Sequence, residues 1–378
     1  MFKTTADSSA RSAAECFLHV GLPKTGTTHL QGLLWHNRDA LAEQGLRYPG
    51  PRQKAHWAAA MDLLGARLPG VPGAWPSMLE RVHSWPGRVN ISHEMMAALE
   101  PETIEEVVEA LAPKDVHVIV TIRDLSRSVP ATWQERAKNR EVEPWLDFLD
   151  AVGRGPQGGH LFWRLQDAAA ILRRWAAVVP SGKIHVVTVP ASSADRGLLV
   201  QRYARVIGVD PDRLTVSPRR SNESLGAVEV MALQHINAQT EDMPWEAYRS
   251  SVKQHVAQKL LAARPGQQRV VVPESTRGWI QTETDRVIDT VGELGCAVEG
   301  DLADLAPAGF GPPKDESSTD RPDQVRPELV AEALSAVTAD LVKELARLRR
   351  KTANAAAQPP TDQHGQRRRP RPKAAADR

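Results

Sequence analysis

The sequence predicts an α/β protein with a central parallel sheet flanked by helices and a helical C-terminal part. Four short apolar or β-branched runs have the length of strands: 16–21, 88–92, 116–122 and 183–189. Long stretches with helical spacing lie between them. Strands that alternate with helices form βαβ units, and these units build parallel sheets that are covered on both faces.

The helices follow from the spacing of apolar residues at steps of three and four. Four stretches show this spacing: 28–44, 102–111, 224–239 and 245–263. Pro101 precedes the second of them, as is typical of a helix start. Past residue 220 the pattern is helical, and only 269–272 has the composition of a strand.

Composition divides the chain into five segments. They are a flexible N-terminus (1–15), an α/β domain (16–305), a linker or surface loop (306–327), an amphipathic helix (328–351) and a disordered basic tail (352–378). The linker is rich in Pro, Gly, Asp and Ser. The tail contains no Val, Ile, Leu, Met or aromatic residue, so it has nothing to bury against the entropy of ordering.

The charge and the cysteine content exclude several classes of function. The 378 residues carry a formal net charge of +2, so neither nucleic acid nor an anionic membrane is expected as a partner. Cys16 and Cys296 fit neither a disulfide framework nor a metal site, which favours the cytoplasm. The first fifteen residues lack the apolar core of a secretory signal. No apolar run is long enough to span a membrane.

The run from Phe17 to Gln31 reads FLHVGLPKTGTTHLQ, an apolar strand that passes through a glycine-containing turn directly into a helix. This arrangement directs backbone N–H groups and a helix N-terminus at a phosphate or sulfate. The predicted anion-binding residues are Lys24, Thr25, Gly26, Thr27 and Thr28. The lysine precedes Gly26, whereas a Walker A loop places it after the second glycine, so an Mg-ATP loop is disfavoured. The alternative is a tight turn with a solvated lysine.

This loop resembles the 5′-phosphosulfate loop of the sulfotransferases that use 3′-phosphoadenosine 5′-phosphosulfate. The resemblance implies a P-loop-like sulfotransferase fold and transfer of a sulfuryl group from that cosubstrate to a hydroxyl or amine of a small-molecule acceptor. In such a reaction negative charge builds on the bridging oxygen, and Lys24 is the predicted catalytic cation there. No metal is expected, because His and Cys residues never fall at ligand spacing.

A second segment, VIVTIRDLSRS from Val118 to Ser128, looks like the family element that holds the 3′-phosphate. Arg123 ends the strand, and the carboxyl ends of parallel strands are where α/β sheets bind ligands. Many family members have a serine eight residues later, where this chain has Ala131, so Ser128 is the predicted substitute. A family-like segment at 220–225 makes Arg220 a further candidate. The alternatives are a paired surface arginine at 123 and a helix-capping loop at 220.

The acceptor must lose a proton, which requires a general base near the transferred group. The candidates are His56, Glu94, His93 and His29. The first two are the predicted catalytic residues, although a lone histidine is more often structural. His19, inside the first strand, is expected in the core. Trp57 and Trp133 are candidates for stacking on adenine or on an aromatic acceptor.

Two other functions fit the same residues. One is a P-loop kinase-like phosphotransferase, which would depend on Mg²⁺. The other is a sulfotransferase-like module that binds a nucleotide without turnover, for which the missing serine and the ambiguous base leave room. The abundance of Arg, Ala and Pro is typical of GC-rich bacterial genomes. The acceptor and the oligomeric state stay open at this stage.

Overall fold

The computed structural model describes residues 15–191, 196–215, 224–310 and 322–357. Six strands occur in these ranges: β1 (Glu15–His19), β2 (Leu46–Arg47), β3 (Arg88–Ser92), β4 (Asp115–Ile122), β5 (Ile184–Thr188) and β6 (Ala297–Glu299). They form one sheet in the order β2-β3-β1-β4-β5-β6, and every neighbouring pair is parallel. The predicted parallel α/β class is therefore confirmed.

Helices connect the strands and form the C-terminal part. The α-helices are α1 (Thr27–His36), α2 (Arg38–Glu43), α3 (Ala55–Leu63), α4 (Ala74–His83), α5 (Pro101–Ala110), α6 (Leu125–Lys138), α7 (Trp145–Gly153), α8 (Leu161–Gln166), α9 (Ala168–Ala176), α10 (Arg196–Ile207), α11 (Ala227–Ala238), α12 (Trp245–Tyr248), α13 (Arg277–Leu294) and α14 (Pro327–Ala357). A π-helix, Arg249–Leu261, continues α12. A 3₁₀ helix, Glu94–Ala98, follows β3.

The sheet is buried on both faces because neighbouring residues of a strand point to opposite sides. Leu18 and Val118 pack into one hydrophobic cluster with residues of α4, α5 and α9. Phe17 and Ile119, the next residues along, belong to a second cluster with residues of α1 and α10. This double burial explains why β1 and β4 are nearly continuous apolar runs rather than alternating patterns.

The helical C-terminal part packs around its own hydrophobic cluster. Trp133 of α6 and Trp145 of α7 lie with Tyr248 of α12 and Val330 of α14 in this cluster. The Trp133 ring is 1% exposed and its Nε1–H donates to the Glu143 carbonyl at 2.9 Å. The prediction that Trp133 stacks on a ligand is therefore wrong, because its ring is enclosed by protein.

The structure differs from the predicted elements in five places. The strands β2 and β6 were not predicted, and 269–272 makes only isolated bridges through Arg269 and Val272. The predicted helix 28–44 is two helices that meet at Asn37. The side-chain amide of Asn37 donates to the Thr215 carbonyl at 2.9 Å and accepts from the Thr215 N–H at 2.8 Å. The C-terminal helix continues six residues past its predicted end, to Ala357.

Candidate active site

The predicted site residues in the described part of the chain meet at one edge of the sheet. The strand β1 lies between β3 and β4, and all three run in the same direction. Their carboxyl ends therefore lie side by side. The end of β1 carries the loop with Lys24, the end of β3 carries His93 and Glu94, and the end of β4 carries Arg123. This edge is where open α/β sheets bind ligands.

The backbone of the loop contains two residues in the left-handed region. Lys24 and Gly26 have φ angles of 68° and 92°. Left-handed residues occur in backbone nests, in which successive N–H groups turn to one side of the chain. The first backbone donor of α1 is His29, which bonds the Gly26 carbonyl at 2.9 Å. The N–H groups of Thr27 and Thr28 precede it and have no intrahelical acceptor.

The three threonines of the loop have different surroundings. The Thr25 hydroxyl is buried, donates to the Leu22 carbonyl at 2.5 Å and lies 2.6 Å from the Thr121 hydroxyl. It therefore serves the fold, and only the backbone of Thr25 can serve a ligand. Thr27 is buried at the first position of α1. Thr28 is exposed, so its hydroxyl is free to reach an oxygen of a bound anion.

A buried polar network supports the loop from below. His19 Nδ1 lies 2.7 Å from the Ser92 hydroxyl, and Nε2 lies 3.2 Å from the Thr121 hydroxyl, which contacts Thr25. Burial lowers the pKa of His19 to about 4. A neutral ring can donate from one nitrogen and accept at the other. His19 is thus a satisfied core residue, as expected, and it ties the loop to the end of β3.

Lys24 is engaged by a carboxylate that the sequence analysis did not select. Its Nζ donates to Glu135 Oε2 of α6 at 2.8 Å, and Lys253 of the π-helix donates to Oε1 at 2.9 Å. Burial acts to raise the pKa of Glu135, but the charges of Lys24 and Lys253 outweigh it and lower the pKa to about 2. Burial lowers the pKa of the nearby Lys138 to about 8, despite the opposite effect of Glu135.

A second group of cations surrounds the start of α6. Burial, together with the charges of Arg127 and Arg269, lowers the pKa of Arg123 to about 10. Arg123 donates to the Lys24 carbonyl at 3.0 Å, and Arg127 donates to the Ala191 carbonyl at 2.7 Å. Within the described residues none of these three arginines forms a salt bridge. Asp124 is close but caps α6 through Ser126. The group has a net positive charge that an anion would neutralise.

One face of α6 turns towards the loop. Glu135 on this face contacts Lys24, and Thr132 lies 3.5 Å from Gln166 Nε2, which donates to the Pro23 carbonyl. Ser128 lies one turn before Thr132 on the same face. Its hydroxyl is buried and has no hydrogen-bond partner in the described part of the chain. An orphaned buried hydroxyl at this position fits a ligand oxygen, because buried polar groups are otherwise satisfied.

His56 lies at the same edge of the sheet but is enclosed by protein. Its ring is 2% exposed, stacks on Tyr48 at 4.1 Å and accepts a hydrogen bond from the Ser92 N–H at Nδ1. The Pro49 carbonyl lies near the His56 ring, but Nε2 does not form a hydrogen bond of standard geometry with it. Burial lowers the pKa of His56 to about 3. The geometry therefore does not favour His56 as the catalytic base, since the acceptor substrate cannot reach its enclosed ring.

The other base candidates are closer to solvent. His93 caps the 3₁₀ helix by accepting from the Met95 N–H, and burial lowers its pKa. Glu94 is partly buried and accepts from Gln31 of α1 at 2.9 Å. Burial acts to raise the pKa of Glu94, but His93 and the hydrogen bonds outweigh it, so the pKa is lowered. Glu94 is thus an ionised carboxylate at the mouth of the site, and His29 has other contacts.

Four site residues escaped the sequence analysis: Arg127, Glu135, Lys253 and Arg269. The last two come from segments more than 100 residues from the loop, so no local pattern marks them. Glu135 had a signal, because it is seven residues after Ser128 and therefore shares its helix face. Arg220 lies outside the described residues.

Comparisons with known proteins give little. No protein-family model matches the chain, and no curated protein sequence is significantly similar to it. Among solved structures, a sulfotransferase from Alicyclobacillus acidocaldarius aligns with 64% of this chain and 99% of its own length, at 18% identity and a TM-score of 0.35. A similarity of this degree carries no inference about the site or the substrate.

Two further properties concern metals and membranes. Among the described residues, no group of three or more His, Cys, Asp or Glu side chains is arranged to hold a metal ion. No helix in the same ranges is both long and apolar enough to cross a bilayer.

Proposed function

We propose that this chain transfers a sulfuryl group from 3′-phosphoadenosine 5′-phosphosulfate to a hydroxyl or amine of a small-molecule acceptor. One observation carries the proposal: two groups of cations lie at the edge of the sheet where α1 begins. Lys24, in the loop that leads into α1, is held by Glu135, and Arg123 with Arg127 and Arg269 forms the second group. Two anionic groups on one small ligand match two cationic groups at one sheet edge.

The residues present fit such a ligand. The N–H groups of Thr27 and Thr28 and the hydroxyl of Thr28 can donate to the oxygens of the phosphosulfate end. Ser128, whose buried hydroxyl has no protein partner in the described ranges, and Arg123 can serve the 3′-phosphate. Each assignment uses a donor that is left over after the fold has been satisfied.

The chemistry requires positioning and positive charge more than covalent participation. The bound cosubstrate supplies the sulfuryl group and the leaving phosphate. Lys24 neutralises the negative charge that develops at the bridging oxygen, and the α1 N-terminus stabilises the leaving phosphate. Glu94 takes the acceptor proton, because it is the ionised carboxylate at the end of β3 and is only partly buried.

A calorimetric titration with 3′-phosphoadenosine 5′-phosphate tests the proposal. We expect micromolar binding, with much weaker binding of 5′-AMP, which lacks the 3′-phosphate. Binding and turnover with a panel of acceptors should both persist in EDTA. ATP turnover that depends on Mg²⁺ would instead show a kinase. Tight binding of the bisphosphate without product from any acceptor would show a nucleotide-binding module.

A further inference from the structure

The contact between Lys24 and Glu135 joins the predicted catalytic cation to a carboxylate 111 residues away. The two side chains are 25% and 26% exposed, so the ion pair is reachable by a small solute but largely shielded from water. A ligand anion at the N-terminus of α1 needs the same ammonium group. The carboxylate and the ligand therefore compete for Lys24.

Glu135 does not depend on Lys24 for its charge. Its second carboxylate oxygen accepts from Lys253 at 2.9 Å, and Lys253 also donates to the Asn139 side chain at 2.6 Å. When Lys24 moves away, Glu135 stays paired and in place. When Lys24 exchanges partners, no buried charge is therefore left without a counter-ion. An unpaired buried charge would oppose the exchange.

We propose that Glu135 is the exchangeable counter-ion and positioning residue of Lys24. The carboxylate holds the ammonium group beside the loop while the site is free, and Lys24 transfers its ion pair to the phosphosulfate end of the incoming cosubstrate. This inference rests on the proposed function. A purely structural role predicts the opposite change in ligand affinity. Loss of a structural ion pair weakens ligand binding, whereas loss of a competitor for Lys24 strengthens it.

Affinity measurements test the competition directly. The probe is 3′-phosphoadenosine 5′-phosphate, titrated into the wild-type chain and into Glu135→Gln. We expect Glu135→Gln to bind it about 3- to 5-fold more tightly, the worth of a partly exposed ion pair. The matched control is Glu143→Gln. Glu143 is 24% exposed and pairs with Arg136 at 2.9 Å, away from Lys24. Its affinity should stay within about twofold of wild type.

The same substitution in a Lys24→Met background separates exchange from simple repulsion. If Glu135 acts through Lys24, the gain in affinity falls below about twofold when Lys24 is absent. An equal gain in both backgrounds would mean that Glu135 merely repels anions, and the proposal would be overturned. Unchanged or weaker binding by Glu135→Gln would overturn it as well. Should Glu135→Gln not fold, Glu135→Asp shortens the side chain by one methylene group, which weakens the contact with Lys24 while keeping the charge, and we expect it to bind the probe more tightly than wild type.

A measurement without nucleotide keeps this inference distinct from the proposed function. Acylation of Lys24 by an activated ester, followed by peptide mass spectrometry, should be at least about threefold faster in Glu135→Gln than in Glu143→Gln, because the amine is no longer held. Faster labelling without any bisphosphate binding would support the counter-ion role and refute the nucleotide. Unchanged labelling would refute the counter-ion role, even where the bisphosphate binds.

Discussion

Lys24 has a left-handed backbone conformation with a φ of 68°, which is uncommon for a residue other than glycine. The conformation places its side chain at the mouth of the site, where Glu135 meets it. We expect Lys24→Met to lower kcat by about 10² to 10³-fold, since it removes a cation from the developing charge. Binding of the product nucleotide should change little, because the ion pair that Lys24 forms with the ligand replaces the one that it forms with Glu135. Steady-state kinetics measures the change in kcat, and calorimetry measures the affinity for the nucleotide. An unchanged kcat would remove Lys24 from the mechanism.

Arg123 and Arg269 allow the 3′-phosphate assignment to be tested at two positions. Arg123→Ala should weaken binding of the bisphosphate by about 1.5 to 3 kcal/mol, and of 5′-AMP hardly at all. Arg123 also bonds the Lys24 carbonyl, so its loss could disturb the loop. Arg269→Ala avoids this problem, because its main contribution is charge near Arg123 and Arg127.

The comparison of the two ligands decides the role of these arginines. If Arg269→Ala weakens the bisphosphate selectively by about 1 to 2 kcal/mol, the 3′-phosphate lies in this group of cations. Equal losses for the bisphosphate and for 5′-AMP in both variants would mean that the arginines support the fold.

The loop and Arg123 could be predicted from sequence because each combines a local pattern with a strand end. Lys24, Gly26 and the threonines adjoin an apolar run, and Arg123 ends another. The partners of these residues could not be predicted in the same way. Lys253 reaches the site only because the π-helix packs against α6, a contact that no spacing in the sequence encodes.

At the scale of elements, the strand β1 and the helix α3 each contain a histidine that the fold keeps neutral, namely His19 and His56. Burial lowers the pKa of His19 to about 4 and that of His56 to about 3, from an ordinary value of 6.5. Below pH 6.5 the unfolded chain therefore binds protons that the folded chain does not. The free energy of unfolding must fall as the pH drops from about 6.5 towards 4.

His56→Gln removes the contribution of His56 to this pH dependence while keeping an acceptor for the Ser92 N–H. Between pH 7.5 and 5.0, the wild type should lose about 2 kcal/mol more of its free energy of unfolding than the variant does. Denaturant titrations at the two pH values measure the difference. His36→Gln, at the exposed end of α1, is the control and should follow the wild type. An identical pH dependence in all three would mean that His56 is solvated.

The two edge strands, β2 and β6, are too short to be predicted from the sequence pattern. β2 has two residues and β6 has three, so neither presents enough alternation to be recognised. The opposite error concerns 269–272, whose apolar residues Val270 and Val272 are buried by the helical part rather than by a sheet. In both cases tertiary context outweighs local propensity.

At the scale of the whole molecule, α14 is anchored by its first half. Val330, Ala333 and Val337 are buried against the helical part, whereas Leu341, Leu345 and Leu348 are at least 39% exposed. A chain that ends after Lys351 should keep its melting temperature within about 2 °C and its activity with a small acceptor. A chain that ends after Pro327 should lose at least about 5 °C or aggregate, because it exposes the groove under α14.

Differential scanning fluorimetry and turnover assays on both truncations check this expectation. Loss of turnover in the longer truncation alone would mean that the C-terminal tail belongs to the active site. The predicted division of the chain into a body, an anchored helix and a dispensable tail would then be wrong.

The sheet order also determines when the site can exist during synthesis. Both neighbours of β1, namely β3 and β4, are complete once Ile122 has been made. The cradle of backbone N–H groups can therefore form from the first third of the chain. Lys253 and Arg269 are added much later. Since chains emerge from the ribosome N-terminus first, the nascent protein passes through a stage that has the cradle but lacks part of its positive charge. The positive charge of the site is complete only when the C-terminal helices have docked.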